Sequence, residues 1–503
     1  MKKLSNAAAI LLMVLLIGSF IRFYNIGSES FWLDEGATAL EIKNYSLKQI
    51  LIHTMADGKI LPDYYPQYDY SLPGYYAFVK IWTNVFGTSE ASFRSFSALL
   101  GSISLLLIFY LARCLFDEKI ALMSTFLASI NLTLVWFSQE ARQYSFLLFL
   151  SLLSLLFLLK MLNDGKVKYV IGFLAVNFLI IYSQNTWILF IFFEGAYALY
   201  RIYLDYSLKK AVSKTNKRII LAFILLSIVY IPIISIAIFS DTSTISLYGR
   251  PKAAEIAKFG AQLTGWLYPS ESLRQKIYDL NPKLTFYELT LIASFFINLL
   301  IIGAFFLIGI VKSYNLRRES SIFLASLFFA PPLLSLLISY AHPAITNIFM
   351  LKQVIYIIPA YLIIASVGLM KSKYKTLAIT AIFITGAILL HAYYANFDKQ
   401  QFRDAANFLK ENGGNDPIFI NIDTAQVIFK FYYGESDNAK GVKSPEELQA
   451  LLKDTDSFWM LITFTKYSDP EGSIRKFLDQ NYIMTEKKAF YDIGLFHYVK
   501  RSR

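Results

Sequence analysis

The apolar residues of this 503-residue chain come in long blocks, with polar residues confined to the gaps between them. The blocks run over 7–24, 92–112, 120–137, 144–162, 169–184, 186–200, 219–239, 286–311, 321–341, 350–370 and 376–394. A bilayer core takes roughly 20 apolar residues of helix to cross, so each block predicts a spanning helix, about eleven in all. The first block follows Lys2 and Lys3 and lacks a small-x-small cleavage site, which predicts a retained signal-anchor.

Two stretches break this pattern. The segment 25–91 is polar and aromatic, with amphipathic helices expected over 34–52 and 75–86 and a Tyr- and Pro-rich irregular run over 63–74. The helix 75–86 is confined between Pro73 and Gly87, too short a stretch to cross. Counting it as a span would also invert every later loop, so it is expected to lie along the interface, where Tyr and Trp are favoured. The tail alternates expected helices (402–412, 445–453, 472–480) with expected strands (417–422, 458–462, and 489–499 as a third strand or hairpin), the pattern of a small α/β layer. The expected fold is therefore mainly α: a polytopic membrane helical bundle over 1–395, interfacial helices in its first outer loop, and a C-terminal α/β domain over 396–503.

Composition agrees. A chain that is 56% hydrophobic and only 17% charged is too apolar for a soluble globular protein. Nineteen Lys and Arg residues sit in one alternating set of short loops, among them Lys209–Arg218 and Lys371–Lys375, whereas the opposite short turns 138–143 and 342–349 hold only Arg142. The basic set is expected to be cytoplasmic, which leaves 25–91, 240–285 and the tail on the outer face of the cell membrane. Over 396–503 there are 15 Lys and Arg against 16 Asp and Glu, so the net charge of +12 reports topology and gives no reason to expect nucleic acid. The lone Cys114 rules out an intrachain disulfide. No phosphate-cradling G-x-x-x-x-G-K-[ST] loop occurs, which argues against an ATP-driven pump. Asp454-Thr455-Asp456 has a metal-binding spacing but reads as a solvated turn before a strand.

Chemistry is expected where ionisable groups gather at the outer ends of apolar blocks. Asp34-Glu35 follows the first span, and either capping of the next helix or catalysis accounts for the pair. In Ser138-Gln139-Glu140-Ala141-Arg142-Gln143-Tyr144, Glu140 and Arg142 read as functional groups or as an ion pair snorkelling to the interface. Lys352 lies two residues into the apolar run Met350–Tyr356 and reads as an anion contact or a snorkelling lysine. Asp57, Asp63, Asp69, Arg94, Arg250 and Lys252 complete the polar groups of that face, with His53 and His342 too scattered to suggest zinc.

Four segments in this order resemble the GT-C type membrane glycosyltransferases of family 39, which include protein O-mannosyltransferases and lipid A aminoarabinose transferases. They are Asp34-Glu35; Leu72-Pro73-Gly74-Tyr75-Tyr76 through Phe86-Gly87-Thr88-Ser89-Glu90 to Arg94-Ser95-Phe96-Ser97-Ala98-Leu99; Ser138–Tyr144; and Phe402-Arg403-Asp404-Ala405-Ala406. The chain departs from relatives at Ser71-Leu72-Pro73-Gly74, Gln184 and Lys352, which leaves the acceptor and any divalent metal open. The resemblance implies inverting transfer of a sugar from a polyprenyl-phosphate donor to a hydroxyl of a lipid, glycan or protein acceptor. Asp34 and Glu35 are then the catalytic carboxylates, Arg142 and Lys352 hold the donor phosphate, and Glu140, Asp69 and Tyr144 contact substrate. The alternative is a polytopic transporter or lipid flippase with an accessory outer domain. Such a protein would more naturally show two related halves and charges near the midplane.

Overall fold

A computed structural model describes residues 6–56, 73–209, 213–239, 250–265, 284–341, 348–396, 399–434, 438–453, 455–465, 469 and 471–501. The chain divides into two compact units. The first comprises Met1–Tyr24, Tyr70–Phe78 and Ser95–Ala395, and the second Asn25–Asp69, Val79–Arg94 and Asn396–Arg503.

In the first unit every apolar block lies on helix. Asn6–Phe23, Glu90–Leu115, Tyr144–Asp164, Phe286–Leu316, Arg318–Ala341 and Lys375–Ala395 are each long and apolar enough to cross a bilayer. Val167–Ile181 and Ile357–Met370 are shorter apolar helices, and the blocks 186–200 and 219–239 fall in Ile188–Lys209 and Lys214–Phe239. The helix Ile357–Met370 is buried on all sides from Ile357 to Leu369, which explains why it is apolar all round. It lies close to Phe286–Leu316 because both helices lack a side chain at the contact. A Cβ on Gly309 would meet the Ile364 carbonyl at 2.0 Å, and one on Gly368 would meet the Phe305 carbonyl at 2.0 Å.

The block 120–137 is not one straight span. Glu118–Ile130 and Leu132–Ser138 are bent by 62° although the segment contains neither Pro nor Gly. Asn131 makes the break: its side-chain oxygen accepts from Leu134 N at 3.1 Å and its amide donates to the Leu263 carbonyl at 3.1 Å. The carbonyls freed at the end of the first half, Ala128 and Ser129, each accept from the buried Arg22 guanidinium at 3.1 Å. A side chain supplies what the interrupted helix would have supplied.

In the second unit the tail forms a five-stranded sheet from β1 (Ile418–Ile420), β2 (Ala439–Gly441), β3 (Ser457–Thr463), β4 (Tyr482–Phe490) and β5 (Ile493–Lys500). The order is β2-β1-β3-β5-β4, with β1 parallel to β2 and β3, and β5 antiparallel to β3 and β4. Phe419, Leu448, Phe458, Met460, Ile474, Leu478 and Tyr498 form its core. The expected third strand is the second half of the β4–β5 hairpin, which turns at Asp492 with φ 53°. Three elements were not foreseen: β2, β4 and the helix Ala425–Tyr433, whose Val, Ile, Phe and Tyr content reads as strand. The expected helix 34–52 is two helices, Leu33–Asn44 and Leu47–Ala56. Ser46 restarts the second: Gln49 N donates to its hydroxyl at 3.3 Å, and Ser46 N donates to the Gln49 side-chain oxygen at 2.9 Å.

Candidate active site

The Asp34-Glu35 pair lies in the second unit, at the start of helix Leu33–Asn44. Trp32 occupies the N-cap position, so Asp34 sits in the first turn and is not itself the cap. The two carboxylates have different surroundings. Asp34 keeps partial exposure, whereas Glu35 is completely buried. Arg94 grips Glu35 with a two-pronged fork, Nε to Oε1 at 2.9 Å and Nη2 to Oε2 at 2.7 Å. Lys399 adds its ammonium at 3.2 Å from Oε1.

The loop before the helix wraps the same guanidinium. Arg94 Nη1 donates to the carbonyls of Ile26 and Glu29 at 3.1 and 2.8 Å, and Nη2 donates to that of Ser30 at 2.9 Å. All five of its N–H groups are thereby engaged. Fork geometry and an always-charged group suit arginine to such a buried pair. Burial of an ion pair costs several kcal/mol per ion unless the remaining donors are satisfied, and here they are.

Tail residues hold the other side of this loop. Phe31 N donates to the Tyr432 hydroxyl at 2.7 Å, and that hydroxyl donates to Glu90 at 3.0 Å. Burial, reinforced by the Glu90 carboxylate, pushes the Tyr432 hydroxyl above the usual tyrosine range, so it stays a donor. Arg403 bridges to Glu90 at 2.9 Å and also donates to the carbonyls of Gly27 and Ser28.

The first unit carries the second predicted group. Arg142 is buried and its Nη1 lies 3.4 Å from the Tyr76 hydroxyl, while its carbonyl accepts from Ser97. Glu140 and Tyr144 are buried beside it in sequence, Tyr144 edge-on to Phe137 at 4.8 Å. Neutral amides fasten this turn. Gln139 Nε2 donates to the Arg22 and Tyr24 carbonyls at 3.1 and 2.8 Å, and its oxygen accepts from Tyr393 at 2.7 Å. Gln143 donates to Gln184 at 3.0 Å, and Gln184 in turn donates to Gln353 at 3.3 Å. The neighbours of Arg142 and Lys352 are thus linked through one amide chain, and Lys352 sits half-buried in the 3-10 turn Leu351–Gln353.

Asp69 lies outside the described residues, as do the side chain of His53 and residues Asp57, Asp63, His342 and Asp454. The divalent metal left open by the sequence finds no ready ligand set: among the described residues no group of three or more His, Cys, Asp and Glu could hold an ion.

Three contributors escaped the sequence reading. Lys399 gave no signal, because only the fold brings it to Glu35. Gln139 is an ordinary polar residue at a helix end. Glu194 carried a signal, being the one acidic residue in an apolar run. It is completely buried and accepts from Ser154 Oγ at 2.6 Å, which itself accepts from Asn177 at 2.7 Å, so it ties three helices of the first unit together.

Comparison with known proteins bears on the fold. Residues 71–234 match the family model described as dolichyl-phosphate-mannose-protein mannosyltransferase. No curated protein matches the chain. Among solved structures, ArnT from Cupriavidus metallidurans bound to undecaprenyl phosphate is 12% identical, with a TM-score of 0.53 over 97% of each chain. The apo oligosaccharyltransferase of Archaeoglobus fulgidus is 13% identical, with a TM-score of 0.57 over 99% of this chain and 75% of that one. The archaeal oligosaccharyltransferase AglB from Archaeoglobus fulgidus, in complex with an inhibitory peptide and a dolichol-phosphate, is 12% identical with a TM-score of 0.52, over 98% of this chain and 74% of that one. The fold is that of the GT-C membrane glycosyltransferases, and the resemblance read from the sequence holds. That fold and the six helices long and apolar enough to cross a bilayer define a multi-pass membrane protein.

Proposed function

We propose that the protein transfers a sugar, with inversion, from a polyprenyl-phosphate donor to an acceptor hydroxyl at the outer face of the cell membrane. The observation that carries this reading is the asymmetry of the carboxylate pair. Glu35 is enclosed between Arg94 and Lys399, so its charge is committed to structure. Asp34, one residue away, keeps partial exposure on the same rigid turn. Asp34 is then the base. It takes the proton of the acceptor hydroxyl as that oxygen attacks the anomeric carbon, and the bond from that carbon to the phosphate oxygen breaks. Glu35 becomes a positioning residue.

The leaving polyprenyl phosphate carries the displaced electron pair. Arg142, a buried guanidinium suited to planar oxyanions, and Lys352 are assigned to that charge. Glu140, Tyr144 and Asp69 are assigned to substrate contact. The amide chain from Gln143 to Gln353 supports placing both cations in one site. That ArnT has been solved with undecaprenyl phosphate and AglB with a dolichol-phosphate supports the donor class. The GT-C fold favours this enzyme over a transporter or flippase. The cytoplasmic amino terminus and outer tail rest on the basic loops, with support from the first loop and the tail sharing one compact unit.

The test is transfer in liposomes from polyprenyl-monophosphate sugars of defined anomeric configuration. The expected outcome is release of polyprenyl monophosphate with a product of opposite configuration. Retained configuration, or use of nucleotide sugars alone, would overturn the proposal.

A further inference from the structure

The tail domain grips the chain on both sides of Asp34. Before it, Phe31 N donates to the Tyr432 hydroxyl at 2.7 Å, and the Phe31 ring meets that of Phe431 edge-on at 5.4 Å. After it, Glu35 takes the Lys399 ammonium at 3.2 Å. Gly36 lies so close to helix Ala425–Tyr433 that a Cβ there would come within 2.5 Å of Ile428 Cδ1. Two helical turns on, Lys43 lies over the Phe431 ring at 5.4 Å. Arg94 already supplies Glu35 with a full counter-charge. A second cation in the same place is costly to bury unless it contributes more than neutralisation. Lys399 contributes a point of attachment, because it ties the first residues of the tail to the carboxylate beside Asp34.

We propose that the C-terminal domain is a support of the catalytic loop, with Lys399 a positioning residue that acts through Glu35 on Asp34. This rests on Asp34 being the base. Displacement of a reacting group by about 1 Å can cost a hundredfold in rate without changing how substrate binds. The role therefore predicts a loss in kcat and little change in donor KM.

The experiment uses the full-length protein in liposomes with donor concentration varied. Lys399→Met should lower kcat by about tenfold to a hundredfold at unchanged donor KM. Lys399→Arg should recover most of it, and Lys399→Met placed on Glu35→Gln should add nothing further. Lys443→Met, on the exposed lysine that pairs with Asp423, is the control and should match the parent. If Lys399→Met does not yield folded protein, Tyr432→Phe removes one hydroxyl from the same clamp, keeps the ring, and should show the same kcat loss. Parental kcat in Lys399→Met or, failing that, in Tyr432→Phe, with Asp34→Asn inactive, overturns the support role and leaves the proposed reaction standing. Parental turnover by Asp34→Asn overturns the base assignment itself, and the support role with it.

Discussion

The two units solve one problem, fixing a polar turn in a buried setting, by opposite means. In the second unit the fastening is ionic: Glu35 lies between Arg94 and Lys399, and every donor of Arg94 is used. In the first, neutral amides take part in it: Gln139 binds backbone carbonyls and the Tyr393 hydroxyl, and Gln143, Gln184 and Gln353 form a chain of amides. The contrast follows from cost. A charge taken out of water needs a partner of equal rank in place, whereas an amide needs only ordinary hydrogen bonds. It also separates scaffold from chemistry. Where the scaffold is ionic the group proposed as base is the neighbouring carboxylate Asp34, and where amides fasten the turn the charged residues proposed for the donor phosphate are Arg142 and Lys352.

The contrast can be broken most severely at Arg94. Arg94→Met leaves Glu35 and three backbone carbonyls without that donor. It should cost about 3–5 kcal/mol, seen as loss of monodisperse protein or rapid proteolysis of the tail. Arg142 sharpens the comparison. Arg142→Ala should reduce kcat/KM for donor by about tenfold to a hundredfold, while Arg142→Lys, which keeps charge but not the fork, should lose less. Equal use of donor by both variants would make Arg142 a scaffold residue too. Gln139→Leu should cost only about 1–3 kcal/mol in thermal stability, because a neutral knot has less to lose. The smallest effect is alkaline. Burial, with Asp479 nearby, pushes the Tyr498 hydroxyl up to about 12. Its neutral form is the one the fold prefers, so its contribution is whole below the ordinary tyrosine value of about 10 and fades as pH climbs towards the folded value. Tyr498→Phe should flatten that part of the pH–stability curve for the tail.

Of the blocks expected to span, six fall on helices long and apolar enough to cross a bilayer, and these were legible because long apolar blocks have few other uses. The break at Asn131 was not legible. It depends on Arg22, more than a hundred residues earlier, taking carbonyls that a Pro or Gly would have advertised. The helix Ala425–Tyr433 was hidden by strand-like composition, which packing against the helix that carries Asp34 overrides. At the site, Asp34-Glu35 stood out as an acidic pair, and the pattern could say no more about which carboxylate works. What sets Glu35 apart from Asp34 includes a contact from Lys399, 364 residues further on. Local sequence can mark where charge is gathered, but how the charge is shared depends on contacts between distant segments.

The central claim is that Asp34 does the chemistry and Glu35 holds it in place. Side-by-side measurement of transfer rate and thermal midpoint for Asp34→Asn and Glu35→Gln tests it most directly. Asp34→Asn keeps the size and the amide-like hydrogen bonding while removing the base. It should retain the parent's midpoint and lose about a hundredfold to ten-thousandfold in turnover. Glu35→Gln should lower the midpoint, because Arg94 and Lys399 then face a neutral group. Near-parental turnover by Asp34→Asn would contradict the account.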